Sequence, residues 1–322
     1  MGLIPAQIIG TGHYIPEKTL ENNQLAKKFD ITEEWIYSRT GIKSRHIAEE
    51  HHNTSDIGLY AALDAIKEAN IETKEIDMII FCTLTPDMLC PATACILQSH
   101  LNAYNAACFD LEAACAGFIF GLSTAYQYIA TGMYKTILVV GADLLSRFTD
   151  YEDKSTSILF GDGAGAVVVR ACKENSFMSF VLGSAGSLHQ MIHIPSSGTN
   201  KSSLSPFLNI KGKDVFKWAI KTIPDIVLSS VERAGISLAE IDYFIIHQAN
   251  ERITVAIAER LGLPTEKFLS NISDCGNTSA ASIPILLSQS IKNKIILKGQ
   301  KILMIGFGSG LSWGASVIEW KL

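Results

Sequence analysis

The chain has 322 residues, of which 48% are hydrophobic and 18% charged, and its formal net charge is −5. So apolar a composition excludes a disordered protein, and the acidic balance argues against a nucleic-acid binder, which would present a basic face. Single hydrophobic cores stop growing at roughly 250–300 residues, so two domains or two fused halves are expected.

The first residues, MGLIPAQIIG, lack the basic stretch of a signal peptide. Ala6 stands where a myristoylation signal needs Ser or Thr. The longest apolar runs, TILVVGA and KILMIGFG, are far shorter than the ~18–20 residues of a membrane span, so a soluble protein without a membrane partner is expected. The seven cysteines (82, 90, 95, 108, 115, 172 and 275) form no C-x-x-C pair and no zinc-like cluster with histidine. Reduced thiols in a cytoplasm, and no metal, are the expectation.

In chain order, the first clear helix is SDIGLYAALDAIKEAN (55–70), with apolar residues at 57, 59, 63 and 66. MIIFCTL (78–84) follows, a continuous apolar strand of the kind buried on both faces of a sheet. DLEAACAGF (110–118) then sets a cysteine among small residues just ahead of a long apolar segment. The pattern predicts a helix from Cys115 to about Thr131, closed by Gly132. A single cysteine is most often a small buried hydrophobe. At the first turn of a helix, however, the backbone dipole would favour its thiolate. TILVVGA (136–142) is the next buried strand, and a strand pair ends in AGAVVVR (164–170). The most irregular segment is 184–206. Farther on, IIHQAN (245–250) ends a strand at His247, and DCGNTSAAS (274–282) carries Asn277 in what reads as a turn.

The chain repeats itself. A shift of 165 positions carries EANIETKEIDMIIF (68–81) onto RAGISLAEIDYFII (233–246), and TILVVG (136–141) onto KILMIG (301–306). Several matches in one order predict a duplicated half, joined near 171–177. Strand–helix alternation in each half gives an α/β fold with helices on both faces of mixed sheets. The same shift sets Cys115 on Ala280, so one of two equivalent helix starts bears a thiol and the other a methyl. A pocket between facing elements of the halves is expected there. A cysteine with histidine and asparagine elsewhere in the chain is a recognised arrangement for nucleophilic catalysis. The runs GDGAG (161–165) and GFGSG (306–310) lack the Lys-Ser/Thr of a phosphate loop. They read as sites of tight turns and close backbone approach.

Taken together, these segments resemble the β-ketoacyl-acyl-carrier-protein synthase III family of the thiolase-like superfamily. The resemblance runs nearly end to end, through EEWIYSRTGIKSRHIA (33–48), the Cys115 segment, FGDGAGA (160–166), KDVFKWA (213–219), HQAN (247–250), GNTSAAS (276–282) and GFGSGLSWGA (306–315). It implies a thiolase-like α/β fold with two duplicated halves, 1–172 and 173–322, in a five-layered αβαβα core.

It also implies a reaction. Cys115 would attack an acyl-CoA thioester, with the N–H groups of Cys115 and Ser309 stabilising the oxyanion. His247 and Asn277 would then hydrogen-bond the enolate formed when malonyl-ACP loses CO2. No cofactor is implied beyond the coenzyme A thioester and the carrier protein. Trp35 and Arg39 match the family's coenzyme A mouth, and Phe307 its gating aromatic. Asn250 falls in the matching HQAN motif. Lys154 stands where the family often has Arg, and Lys213 where it often has Asn, so nucleotide contacts there are altered. Lys217, Arg252 and Arg260 match a basic surface for the acidic carrier protein, and Glu259 departs from it. Cys90 occupies a position that in the family's homodimers faces the neighbour's acyl tunnel and is commonly Phe. A deeper tunnel, taking starters longer than acetyl, is the expectation.

Two other readings stay open. The same chemistry could serve a specialised starter in a secondary-metabolite or biotin-precursor pathway. A non-catalytic acyl-binding subunit would have lost Cys115, His247 or Asn277, and none is lost. The GFGSG loop lacks the second cysteine of a thiolase, and Cys275 reads as a small packing residue.

Overall fold

A computed structural model describes residues 2–195, 198–199 and 205–322. The irregular segment 184–206 therefore falls partly outside the described residues. No described helix is long and apolar enough to cross a membrane.

Ten strands form two five-stranded sheets. The first holds β1 (Ala6–Tyr14), β2 (Met78–Cys82), β3 (Ala107–Leu111), β4 (Thr136–Asp143) and β5 (Gly163–Ala171). The second holds β6 (Phe177–Ser184), β7 (Tyr243–Ile246), β8 (Phe268–Leu269), β9 (Lys301–Gly308) and β10 (Ser312–Glu319). The spatial orders are β1-β5-β4-β2-β3 and β6-β10-β9-β7-β8, the same order five strands later. Pairing repeats as well: β2 is parallel to β3 and β4, β7 is parallel to β8 and β9, and the remaining pairs are antiparallel. The GDGAG run leads into β5 and not into a turn.

Six helices complete five layers. α1 (Thr54–Ala69) and α2 (Thr93–Leu101) cover the outer face of the first sheet, packing on Ile79, Phe81, Leu138 and Val140. α3 (Gly117–Ala130) lies between the sheets with α6 (Ser282–Lys292), and α4 (Gly212–Ala234) and α5 (Glu251–Leu261) cover the outer face of the second. The two central helices bury Phe118, Leu122, Ile283 and Leu287 between Ile80 and Val139 of one sheet and Ile302 and Met304 of the other. Alternate residues of MIIF and KILMI thus point into different apolar layers, which is why these strands show no polar face. Truncating Phe81, which has no exposure, to alanine would cost about 3–5 kcal/mol.

α1 buries Ile57 and Ile66 as expected and departs from its expected face at Leu63. Asn53 caps it, with a reciprocal bond to Asp56, and Leu63 stands 47% exposed. Between Ile57 and Ile66, its buried face is made of Gly58, Ala61, Ala62 and Ala65. The reason lies opposite: a Cβ on Gly12 of β1 would sit 2.2 Å from the Ala61 carbonyl oxygen. Helix and strand meet backbone to backbone, and only small residues fit there.

Candidate active site

The parallel strands of both sheets end on one cavity. Cys115 follows the end of β3, His247 directly follows β7, and Ser309 directly follows β9. Crevices at the carboxyl ends of parallel strands are the usual ligand sites of α/β sheets. The cavity, about 310 Å³, is lined by Cys115, His247, Asn277, Asn250, Phe307 and Ser309. Its remaining wall is largely apolar, with Leu145, Phe148, Phe160, Ile192, Leu208 and Leu311.

Cys115 does not begin the α-helix as expected. A single 3-10 turn, Ala114–Ala116, precedes Gly117, the first residue of α3. The chain must leave β3 and reverse sharply, and Ala114 takes a left-handed φ of 46° to do so. Glu112 braces this turn, its Oε1 accepting the Ala114 N–H at 2.9 Å. Gly308 presses on the far side. A Cβ there would lie 2.9 Å from the Cys115 nitrogen and 3.1 Å from its sulfur.

The thiol is not depressed in pKa as its place near a helix start suggested. Burial pushes it up to about 12, with the Ser279 hydroxyl pulling in the other direction and Asp143 adding to the rise. Desolvation disfavours a charged sulfur, and here it outweighs the donors around it. Ser279 Oγ donates to Cys115 Sγ at 3.4 Å. Cys275 is buried, and desolvation likewise holds its thiol near 12.

His247 is 2% exposed, and burial brings its pKa down to about 3, so the imidazole is neutral. Its Nδ1 lies 2.8 Å from Ser282 Oγ, which also accepts the Gln248 N–H at 3.4 Å. A Ser282 hydroxyl that donates to Nδ1 leaves the imidazole proton on Nε2. Asn277 is fixed in the same sense. Its Oδ1 accepts the Ser279 N–H at 2.9 Å, leaving the amide NH2 as its free polar group. The cavity thus holds one thiol beside two side chains that have donors left to offer.

The other sequence candidates lie outside this centre or at its rim. The Arg39 guanidinium is 4.1 Å from the Trp35 ring centroid and the Lys154 ammonium 5.0 Å from it. Asn250 joins this cluster to the cavity, since its Nδ2 donates to the Arg39 carbonyl at 3.0 Å while its Oδ1 caps α5. Lys213, Lys217, Arg252 and Arg260 are exposed. Arg252 stands 5.6 Å from the Phe216 ring centroid, in a shallow groove that Glu259 also lines. Cys90 is exposed and does not line the cavity of its own chain. Ser279, Ser282, Glu112 and Asp143 carry no role in the sequence reading. The two serines lie inside the GNTSAAS motif, which was the one signal pointing to them.

Comparison with known proteins accounts for this arrangement. The profile described as 3-Oxoacyl-[acyl-carrier-protein (ACP)] synthase III matches residues 109–186, and that of its C-terminal part matches 231–320. The β-ketoacyl-[acyl-carrier-protein] synthase III of Clostridium acetobutylicum is 46% identical over 320 residues, covering 98% of both chains. The crystal structure of 3-oxoacyl-[acyl-carrier-protein] synthase III from Aquifex aeolicus superposes with a TM-score of 0.92 at 42% identity, over 98% of this chain and 100% of that one. The priming β-ketosynthase of the R1128 polyketide pathway gives 0.94 at 34% identity, over 99% and 97%. With near-complete coverage at such identity, a two-sheet thiolase-like fold, and Cys115, His247 and Asn277 lining one cavity, the chain belongs to the 3-oxoacyl-[acyl-carrier-protein] synthase III family.

Proposed function

We propose that this chain joins an acyl group, carried on Cys115, to malonyl-ACP by decarboxylative Claisen condensation, giving 3-oxoacyl-ACP and initiating fatty-acid synthesis. One observation carries the reading: a thiol, an imidazole and a carboxamide whose oxygen is already engaged converge in a cavity with apolar walls.

In the first half-reaction Cys115 sulfur attacks the thioester carbonyl of an acyl-CoA. The N–H groups of Cys115 and Ser309 hold the oxyanion, and coenzyme A leaves. In the second, malonyl-ACP loses CO2, and charge gathers on its thioester oxygen. His247 Nε2–H and Asn277 Nδ2–H donate to that oxygen, where charge appears only as the reaction proceeds. The carbanion attacks the acyl-Cys115 carbonyl, and the thiol is regenerated. The chemistry is carried by the two thioesters and needs no prosthetic group.

The Trp35, Arg39 and Lys154 cluster suits a nucleotide, with an aromatic face and two cations for phosphate. Lys213 lies at the start of α4, next to the cavity-lining Gly212, and extends this positive rim. Phe307, facing His247 edge-on with centroids 5.5 Å apart, would gate the thiol. Lys217, Arg252 and Arg260 would receive the carrier protein in the cytoplasm. The protein would act as a homodimer in which Cys90 faces the partner's tunnel. The loop bearing it exposes Met88 and Leu89, the latter by 84%, as a surface awaiting cover would. The division into halves 1–172 and 173–322 is supported by the repeated strand order.

Intact-protein mass spectrometry after exposure to a panel of acyl-CoAs, followed by malonyl-ACP, tests the reading. The expected result is one acyl group on Cys115, discharged by malonyl-ACP with release of CO2. Modification elsewhere, or none, would overturn it. Preference for a single unusual acyl group would favour the specialised-starter reading.

A further inference from the structure

The wall of the cavity is almost free of charge. Among the described residues that line it, Glu112 is the one aspartate, glutamate, lysine or arginine. The cations of the coenzyme A rim, Arg39, Lys154 and Lys213, are not part of that lining. Glu112 makes no ion pair among the described residues. The reaction described above gives this charge no part.

The repeat shows how it is held. Glu112 stands 165 positions before Asn277, and each precedes a turn of the same build. Glu112 Oε1 accepts the Ala114 N–H at 2.9 Å, and Asn277 Oδ1 accepts the Ser279 N–H at 2.9 Å. Ala114 and Ser279 take left-handed φ angles of 46° and 52°, and each starts a 3-10 turn, Ala114–Ala116 and Ser279–Ala281. Both Glu112 and Asn277 line the one cavity. In each, one oxygen holds the turn and the rest of the group is left over. Asn277 has its NH2 left, a donor, whereas Glu112 has a second carboxylate oxygen, an acceptor that carries charge. The bond to Ala114, the neighbour of Cys115 in sequence, keeps that charge beside the thiol.

We propose that Glu112 is a specificity-determining residue whose charge admits neutral acyl chains to Cys115 and turns away those that end in a carboxylate. A starter of the second kind would bring another negative charge into a largely apolar cavity with no described lysine or arginine on its wall. Like charges repel more strongly there than in water, and the repulsion acts against the wrong starter without touching the right one. Glu112 is also exposed to solvent, which screens its field and limits the discrimination to about tenfold. Malonyl is the acyl group whose exclusion matters most, because the second substrate carries it as a thioester. With Glu112 beside the thiol, transfer of malonyl to Cys115 is disfavoured, and the thiol stays available for a neutral acyl group. The same charge does not oppose the later chemical step, since the malonyl carboxylate departs as uncharged CO2.

The proposal rests on Cys115 being the acylated residue, and the experiment separates the two claims. Rates of mass gain at Cys115 are measured by quenched-flow mass spectrometry with butyryl-CoA and with succinyl-CoA. These acyl groups have the same number of carbons and differ by a terminal carboxylate. Wild type is compared with Glu112→Gln, which keeps an oxygen to accept the Ala114 N–H and loses the charge. The butyryl-to-succinyl ratio is read, so that any general effect on the thiol or on coenzyme A binding cancels. In wild type the ratio should favour butyryl and should shrink as salt rises from about 0.02 to 0.5 M. In Glu112→Gln it should be smaller by about tenfold at low salt, through a faster succinyl rate, and indifferent to salt. The part of the ratio due to the apolar wall alone should persist in both proteins. Equal ratios in the two proteins at low salt would overturn the charge filter and leave acylation of Cys115 standing. If the variant does not fold, a wild-type ratio indifferent to salt would overturn the filter, and a salt-sensitive one would support it. A wild type that takes butyryl on no residue, or on one other than Cys115, would overturn both claims.

Discussion

Asn277 Oδ1 accepts the Ser279 N–H at 2.9 Å, and this one bond decides which end of the amide faces the cavity. Asn277→Asp should keep that bond through one carboxylate oxygen and present the other where a donor stood. A negative oxygen opposite a developing enolate is repelled. CO2 release from malonyl-ACP should therefore fall by about 10²–10³-fold, the range for a lost oxyanion donor. Acylation of Cys115, measured by mass, should be unchanged.

Ser282 Oγ lies 2.8 Å from His247 Nδ1, and by donating there it would hold the imidazole proton on Nε2. Ser282→Ala frees Nδ1 to carry the proton instead, so Nε2 would face the substrate as an acceptor in part of the population. The expected cost is about tenfold in decarboxylation, matching the ~1.4 kcal/mol of one hydrogen bond, with acylation again preserved. Equal losses in the two half-reactions would refute a tautomer role.

The pKa of His247, brought from 6.5 to about 3 by burial, has consequences of known sign. Between those values the unfolded chain binds a proton at this residue and the folded chain does not. Folding stability contributed here is therefore present above pH 6.5 and is lost as pH falls toward 3. Urea melts at pH 7.5 and 5.0 should show a smaller acid-induced loss for His247→Gln than for wild type. In the same range the decarboxylation rate should show no imidazole limb, because the residue stays neutral throughout.

Arg252 and Lys217 are exposed, the first over the Phe216 ring and the second next to it in sequence. Charge reversal at both should raise the KM for malonyl-ACP and leave acyl-CoA kinetics alone, since an acidic carrier is steered by charge. The variant should also lose most of the wild-type salt dependence. A KM for malonyl-ACP equal to that of wild type would remove these residues from the docking surface.

Cys90 is exposed on its loop, where a bulky residue would close the partner's tunnel in the proposed dimer. Each methylene that finds room is worth about 0.8 kcal/mol. Wild type should thus prefer acyl-CoAs longer than acetyl, and Cys90→Phe should shift the preference toward acetyl in a competition assay. Acetyl-CoA used as well as every four- to eight-carbon starter by wild type would count against this.

Much of the fold is legible in the sequence, because strands such as Met78–Cys82 and Thr136–Asp143 are buried on both faces and, apart from Thr136 and Asp143 at the ends of the second, are apolar throughout. Cys115, His247 and Asn277 are legible as a set through motifs. What escapes is whatever depends on residues meeting across the chain. The expected apolar stripe of α1 misplaced Leu63, since the glycines of β1, far away in sequence, decide that alanines face inward. The 3-10 turn at Ala114 is set by the reversal out of β3, and no local pattern announces it. The raised thiol pKa reflects a desolvation that exists only once both sheets close over the cysteine. Ser279 has no role in the sequence reading, and only the fold brings its hydroxyl to the Cys115 sulfur.

Asn277 is held by its backbone as firmly as by its side chain. Its N–H donates to the Leu159 carbonyl at 2.9 Å, and its own carbonyl accepts the Gly161 N–H at 3.0 Å. The segment 159–161 leads into β5 of the first sheet, whereas Asn277 comes from the connection between β8 and α6. The position 165 residues earlier is Glu112, in the stretch that leads to Cys115, so the two repeats use the same place differently. Each repeat has therefore become a specialist that is unfinished without its sibling. A hybrid enzyme assembled from the front of one relative and the back of another would inherit a working thiol and a working amide, yet align them only if the parents share this seam.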